Sequence, residues 1–205
     1  MVTLAMLIRT LLLAISACSI GYGAFHVDRL LQVPLQRAQT VGSLTVDGKG
    51  NPIVTGFNLS GGFVSKLDPL GNVIFSFSNQ GAYAAGAAAD ANNDVYWFGS
   101  GGAPGFPFPF TKKTLPVSQL GSYTPGFLVK FHGTDGSIVW AAEIDALQPE
   151  AIAIDAGGVI TLAGFATTAP RVTTAGAYQS PASGTVNPLS LVRLTPGGDP
   201  IFAAT

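Results

Sequence analysis

The chain has 205 residues, a formal net charge of −1 and only 10% charged residues, far below the roughly 25% usual in globular domains. Its only adjacent bases are Lys112-Lys113, so it lacks the basic footprint of a nucleic-acid partner. A hydrophobic fraction of 47% excludes disorder, and 26 Gly with 14 Pro indicate many turns.

From the N-terminus, Arg9 precedes an apolar stretch over Thr10–Ala17. That length suits the apolar region of a secretory signal, about 7–15 residues, and falls short of the ~20 needed to span a membrane. Residues 1–24 are therefore read as a leader, and the chain as exported to the periplasm, the outer cell surface or the medium. Cys18 is the only cysteine. Its context, Ile15-Ser16-Ala17-Cys18, resembles the bacterial lipoprotein processing box, which would make its thiol the lipid attachment point. The alternative is an ordinary signal cut near Ser19 or Gly23. In both cases the domain that follows has no disulfide and depends on packing.

Beyond the leader one element recurs. An aspartate is followed nine residues later by a glycine in Asp47…Gly56, Asp90…Gly99 and Asp155…Gly164. Recurrence of this kind marks a repeat fold. A short run precedes each aspartate (Leu44–Val46, Ala87–Ala89, Ile152–Ile154). A second apolar run leads to each glycine. A third run carries a base at the same place: Lys66 in Phe63–Leu67, Lys130 in Phe127–Phe131, Arg193 in Leu189–Leu194. After a Gly/Pro/Asp turn, a fourth run closes the unit at Val73–Phe75, Ile138–Trp140 and Ile201–Ala203. Runs this short, rich in Val, Ile and aromatics, are strands. Leu30 precedes Asp47 by the same 17 residues that separate Val73 from Asp90 and Ile138 from Asp155, so Leu30–Leu35 is read as an outer strand ahead of the first unit. Successive aspartates lie 43 and 65 residues apart, and the excess falls in a Gly/Pro/Phe-rich insertion over Gly101–Gly126.

Four strands in about 40–65 residues are the size of a propeller blade. The stretches Ala151–Phe165, Thr173–Gln179 and Leu191–Gly198 resemble the bacterial SBBP (seven-bladed β-propeller) repeat, and Gly62–Ser76 and Gly126–Trp140 match its second half. The resemblance covers about 42–205. It implies an all-β fold: an incomplete β-propeller of three four-stranded antiparallel blades, at about 42–83, 84–145 and 146–205, preceded by one strand. It also implies a secreted or surface protein. A two-sheet β-sandwich is the alternative that evenly spaced strands leave open. Propellers close with about 4–8 blades, so three blades suggest an array that continues past Thr205. Those remaining blades, or else self-association, would have to cover its open edges.

Candidate chemistry is sparse. Asp90, Asn92 and Asp94 place oxygen ligands at alternate positions, as in the first half of a calcium loop. No glutamate follows at the closing position, which is Gly101. The competing reading is that each repeat aspartate, Asp47, Asp90 or Asp155, bonds its own turn, with Gly56, Gly99 and Gly164 as fixed repeat positions. His26 and His132 lie 106 residues apart and offer no metal spacing. Glu143, Asp145 and Glu150 are close in sequence and read as decoration of the link between units two and three. In Gly105–Phe110, three phenylalanines alternate with proline. Phe106, Phe108 and Phe110 are either an exposed recognition loop or rings tucked against the blade. Lys112-Lys113 is read as solvated loop. No cofactor is implied beyond the calcium alternative.

Two classes of function follow. One is a secreted or lipid-anchored scaffold that binds protein or polysaccharide through its loops, touching the membrane only through its leader or anchor. The other is part of an extracellular propeller enzyme, a quinoprotein or polysaccharide lyase, with its active residues in further blades.

Overall fold

The computed structural model describes residues 11–14, 30–33, 38–101, 111–113, 126–144, 147–166 and 189–204. Among them the chain is all-β. Strands β1 (Leu11–Ala14) and β2 (Leu30–Val33) pair antiparallel as a separate two-stranded sheet. The strand expected at Leu30–Leu35 thus forms, but its partner is Leu11–Ala14 and not a sheet of the array.

Three larger sheets follow in sequence order. The first holds β3 (Ala38–Val46), β4 (Pro52–Asn58), β5 (Gly61–Leu67) and β6 (Val73–Asn79). The second holds β7 (Ala82–Ala89), β8 (Val95–Gly101), β10 (Gly126–Phe131) and β11 (Ile138–Ile144). The third holds β12 (Leu147–Ile154), β13 (Ile160–Ala166), β14 (Leu189–Leu194) and β15 (Pro200–Ala204). In each, four consecutive strands pair antiparallel in simple order. A short fifth strand, β9 (Lys112–Lys113), adds to the second sheet in parallel with β11. This corrects the reading of Lys112-Lys113 as loop: Thr111 donates its N–H to the Ala141 carbonyl at 2.9 Å and ties the insertion across the outer edge of that sheet. Covering an edge removes a template for unwanted pairing.

The sheets stack face to face instead of forming the two layers of a sandwich. β7 packs on β3, β4 and β5, and β12 packs on β7, β8 and β10, so each new sheet enters by its first strand and the array remains open. One core lies between the first and second sheets, with Ile53, Val64 and Phe75 meeting Val95, Trp97, Phe127, Val129 and Phe131. A second lies between the second and third, with Tyr96, Phe98, Leu128 and Trp140 meeting Leu147, Ile160, Leu162, Val192 and Leu194. This explains the unbroken run Val95-Tyr96-Trp97-Phe98. Alternate side chains enter opposite cores, so no position faces water. Trp97 anchors its core edge-on to Phe127, with ring centroids 4.7 Å apart, a pairing worth about 0.5–1.5 kcal/mol beyond burial.

The repeated Asp…Gly element now has a physical cause. Each aspartate opens a hairpin turn. Its Oδ1 accepts the N–H groups two and four residues on, from Lys49 and Asn51, from Asn92 and Asp94, and from Gly157 and Val159. The left-handed residue such a turn requires is Gly50, Asn93 or Gly158. The glycine meets a different demand. The first strand of every sheet bulges beside it, with Gly42, Ala85 and Glu150 as the extra residues. The bulge presses a carbonyl onto the glycine: a Cβ at Gly56, Gly99 or Gly164 would overlap the oxygen of Thr40, Tyr83 or Gln148. Only glycine fits there.

Candidate functional site

The third-strand bases assemble a recurring polar network among the described residues. They do not simply project from the strand. Each returns to the aspartate that opens its own sheet's first turn: Lys66 Nζ lies 2.8 Å from Asp47 Oδ2, Lys130 Nζ 3.1 Å from Asp90 Oδ2, and Arg193 Nη2 3.5 Å from Asp155 Oδ2. Lys66 also reaches the next sheet, donating to the Asn93 carbonyl at 2.9 Å. Lys130 gathers more partners. Asp94 Oδ2 sits 3.1 Å away, the Tyr96 hydroxyl donates to Asp90 Oδ2 at 3.1 Å, and the Lys130 ammonium stands 5.0 Å above the Tyr96 ring.

These contacts set the charge states. Burial pushes the Asp47 carboxyl up, but hydrogen bonds from Lys66, from the Asn51 side chain and from the Asn51 and Lys49 N–H groups outweigh it and hold the pKa at about 2. Burial likewise disfavours the Lys130 ammonium, and Tyr96, Asp90 and Asp94 overcome it, so the net shift is upward. Burial in turn raises the Tyr96 phenol.

The same cluster bears on the calcium alternative. The three oxygen-bearing side chains Asp90, Asn92 and Asp94 do share one turn. Asp90 Oδ1 is spent on the turn itself, and the ammonium of Lys130 takes the place between the two carboxylates. Asp94 Oδ1 accepts the Gly133 N–H at 3.1 Å, with His132 Nδ1 at 3.6 Å. The described residues contain no group of three or more His, Cys, Asp or Glu side chains arranged to hold a metal. Glu143 lies on β11 and Glu150 at the β12 bulge, in different sheets. Asp145, His26, Cys18, Phe106, Phe108 and Phe110 fall outside the described residues, as do Thr173–Gln179.

A second rung repeats with the bases. Across from each base, on the fourth strand, stands an aromatic residue: Lys66 opposite Phe75, Lys130 opposite Trp140, Arg193 opposite Phe202. The next sheet roofs the first two with a left-handed glycine from its third-to-fourth-strand turn. Gly136 (φ 72°) lies directly on the Phe75 ring, and a Cβ at Gly198 (φ 83°) would come within 3.2 Å of Trp140. Trp140 Nε1 also donates to the Pro196 carbonyl at 3.3 Å. Side-chain exposure of the bases follows the roofing: 2% for Lys66, 11% for Lys130 and 39% for Arg193.

The array therefore has two unlike rims. All aspartate turns occupy one rim, where connections are short. At the other rim β4 and β5 are joined by Leu59-Ser60 alone, whereas residues 102–125 connect β8 to β10, with β9 among them, and residues 167–188 connect β13 to β14. On the outward face of the first sheet Val54, Phe63 and Leu67 are buried while Val41, Leu44, Val46 and Val73 are exposed, and on that of the third sheet Phe165, Leu189 and Leu191 are exposed. No described helix is long and apolar enough to cross a membrane. The sequence matches no protein-family model, and comparison with curated proteins finds no significant match.

Proposed function

We propose that the chain is a propeller-type repeat scaffold of the SBBP kind. It is exported behind its leader, with Cys18 as the lipid attachment point, and binds protein or polysaccharide through the rim opposite the aspartate turns. The observation that carries this reading is the asymmetry of the connections. Sheets built to one plan keep tight turns at one rim, while at the other rim two of the three units carry connections of a length uncommon in compact domains. Such connections usually serve binding. The propeller reading draws on the order of the strands, on the entry of each sheet through its first strand, and on the recurrence of base, aromatic and glycine at every junction. The buried ion pairs serve rigidity, since their charges are spent on one another.

The test uses the full chain and the variant Phe106→Ser/Phe108→Ser/Phe110→Ser, measured by interferometry against a panel of soluble polysaccharides and extracellular proteins. The wild-type chain should bind at least one member of the panel. The variant should lose more than about tenfold in affinity for it, or roughly 1.4 kcal/mol, with Tm changed by less than about 4 °C. A large fall in Tm would mean that the three rings belong to the core, and wild-type affinity in the variant would remove this loop from the binding surface.

A further inference from the structure

We propose that the stacked rings of Phe57 and Tyr83 form a platform for one sugar unit of a neutral polysaccharide. The inference rests on the rim reading proposed above and gives that rim a ligand class and a named subsite. The two rings meet across the first junction, with centroids 5.9 Å apart and planes 10° from parallel. Phe57 backs one face of the Tyr83 ring, and Tyr83 is still 56% exposed, so its other face meets solvent. Both residues stand at the rim opposite the aspartate turns, Phe57 near the end of β4 and Tyr83 near the start of β7. The long connection over residues 102–125 departs from Gly101, the pair next to Tyr83 and Ser100.

Sheet packing does not require this stack. Phe57 directly follows the repeat glycine Gly56, and Tyr83 is the residue whose carbonyl presses on Gly99. At the second junction the same two positions are Ser100 and Gln148. The base and its opposing aromatic, by contrast, recur in every unit. A tyrosine, apolar in its body and polar at its tip, is the residue type that contact surfaces favour.

The surroundings select the ligand. A pyranose carries C–H bonds on its faces and hydroxyls around its edge. The C–H face packs on the electron-rich face of an aromatic ring, and the hydroxyls need neutral donors and acceptors beside it. The β4–β5 turn supplies these where it packs on the link to β7, with Gly61 against the Asn79 carbonyl and Gln80. Asn58 gives its amide oxygen to the Ser60 N–H at 2.7 Å, which leaves its amide N–H donors for a ligand. Ser60 and Gln80 are exposed. Size argues against a protein partner: a tyrosine offers about 150–250 Å² in all, against ~800 Å² per partner in a standard protein interface. Charge argues against an acidic glycan. Lys66, Lys130 and Arg193 are paired with the aspartates of the other rim, and Lys112-Lys113 lie on the outer edge of the second sheet.

Affinity electrophoresis of the full chain tests this, in native gels cast with dextran, laminarin or galactomannan, and with alginate and gelatin as the acidic and protein counterparts. At least one neutral glycan should retard the wild-type chain, and alginate and gelatin should not. Tyr83→Ala should lose more than about tenfold in affinity. If that variant loses its cooperative melt, Tyr83→Gln, which installs the residue of the second junction, is read in its place with the same expectation. Leu70→Ala, at an exposed position in the β5–β6 turn of the aspartate rim, should bind as the wild-type chain does. Retention by alginate or gelatin alone would leave the rim reading standing and overturn this one, as would undiminished retention of the Tyr83 variants. Retention by none of the five would overturn both.

Discussion

Replacing Asp47 with alanine should destabilise the fold by about 3–5 kcal/mol, the cost of leaving a buried ammonium unpaired. Lys66 is almost fully enclosed, and without Asp47 its remaining partner among the described residues is the Asn93 carbonyl. The second change Lys66→Met should recover most of the loss, because a well-packed apolar side chain replaces a buried ion pair at little net cost. Chemical denaturation of the wild-type chain, the single variant and the double variant measures both effects. The pH dependence gives a second reading of the same pair. Folding depresses the Asp47 pKa from 3.8 to about 2. A depressed carboxylate contributes stability that is fully present above its unfolded pKa and lost as pH falls through the folded one. About 2 kcal/mol should therefore disappear between pH 4 and pH 2, and this part of the slope should be missing when Asp47 is alanine. An Asp47→Ala cost under about 1 kcal/mol would show that the pair is not enclosed.

Gly99→Ala should cost about 3 kcal/mol. The new methyl would overlap the Tyr83 carbonyl on β7 and crowd the Phe127 ring, and a packed core accommodates added carbons only by shifting backbone. Gly42→Ala provides the control. It stands in the bulge of the first sheet, where an added Cβ meets nothing closer than 3.5 Å, and its effect should stay within about 0.5 kcal/mol. Equal effects at the two positions would mean that the close approach between first and second strands is absent.

Much of this architecture is legible in the chain. The Asp…Gly spacing, the four short runs per unit and the recurring base define the three sheets, because turn chemistry and strand period are local properties. Features created by tertiary packing are not. The first strands begin earlier than the runs at Leu44 and Ala87 suggest: Ala38–Val46 and Ala82–Ala89 are lengthened by bulges, and alanine carries little strand signal of its own. β9 has no strand signature, since two lysines pair only because β11 offers an edge. The calcium-like spacing of Asp90, Asn92 and Asp94 is real, but the side chain that occupies its centre arrives from Lys130, 40 residues away along the chain. The recurrence of a base and an aspartate in every unit was the available sign of their pairing. The open face of the third sheet leaves no mark at all, because Leu189–Leu194 reads as a strand buried on both sides.

The seating of each fourth-strand aromatic under the next sheet's turn is the point on which the stacking rests, and proton NMR tests it most directly. The Hα resonances of Gly136 and Gly198 should be shifted upfield by ring currents, with cross-peaks to Phe75 and Trp140 respectively. Ordinary shifts at both glycines, and no cross-peaks to those rings, would contradict the face-to-face array.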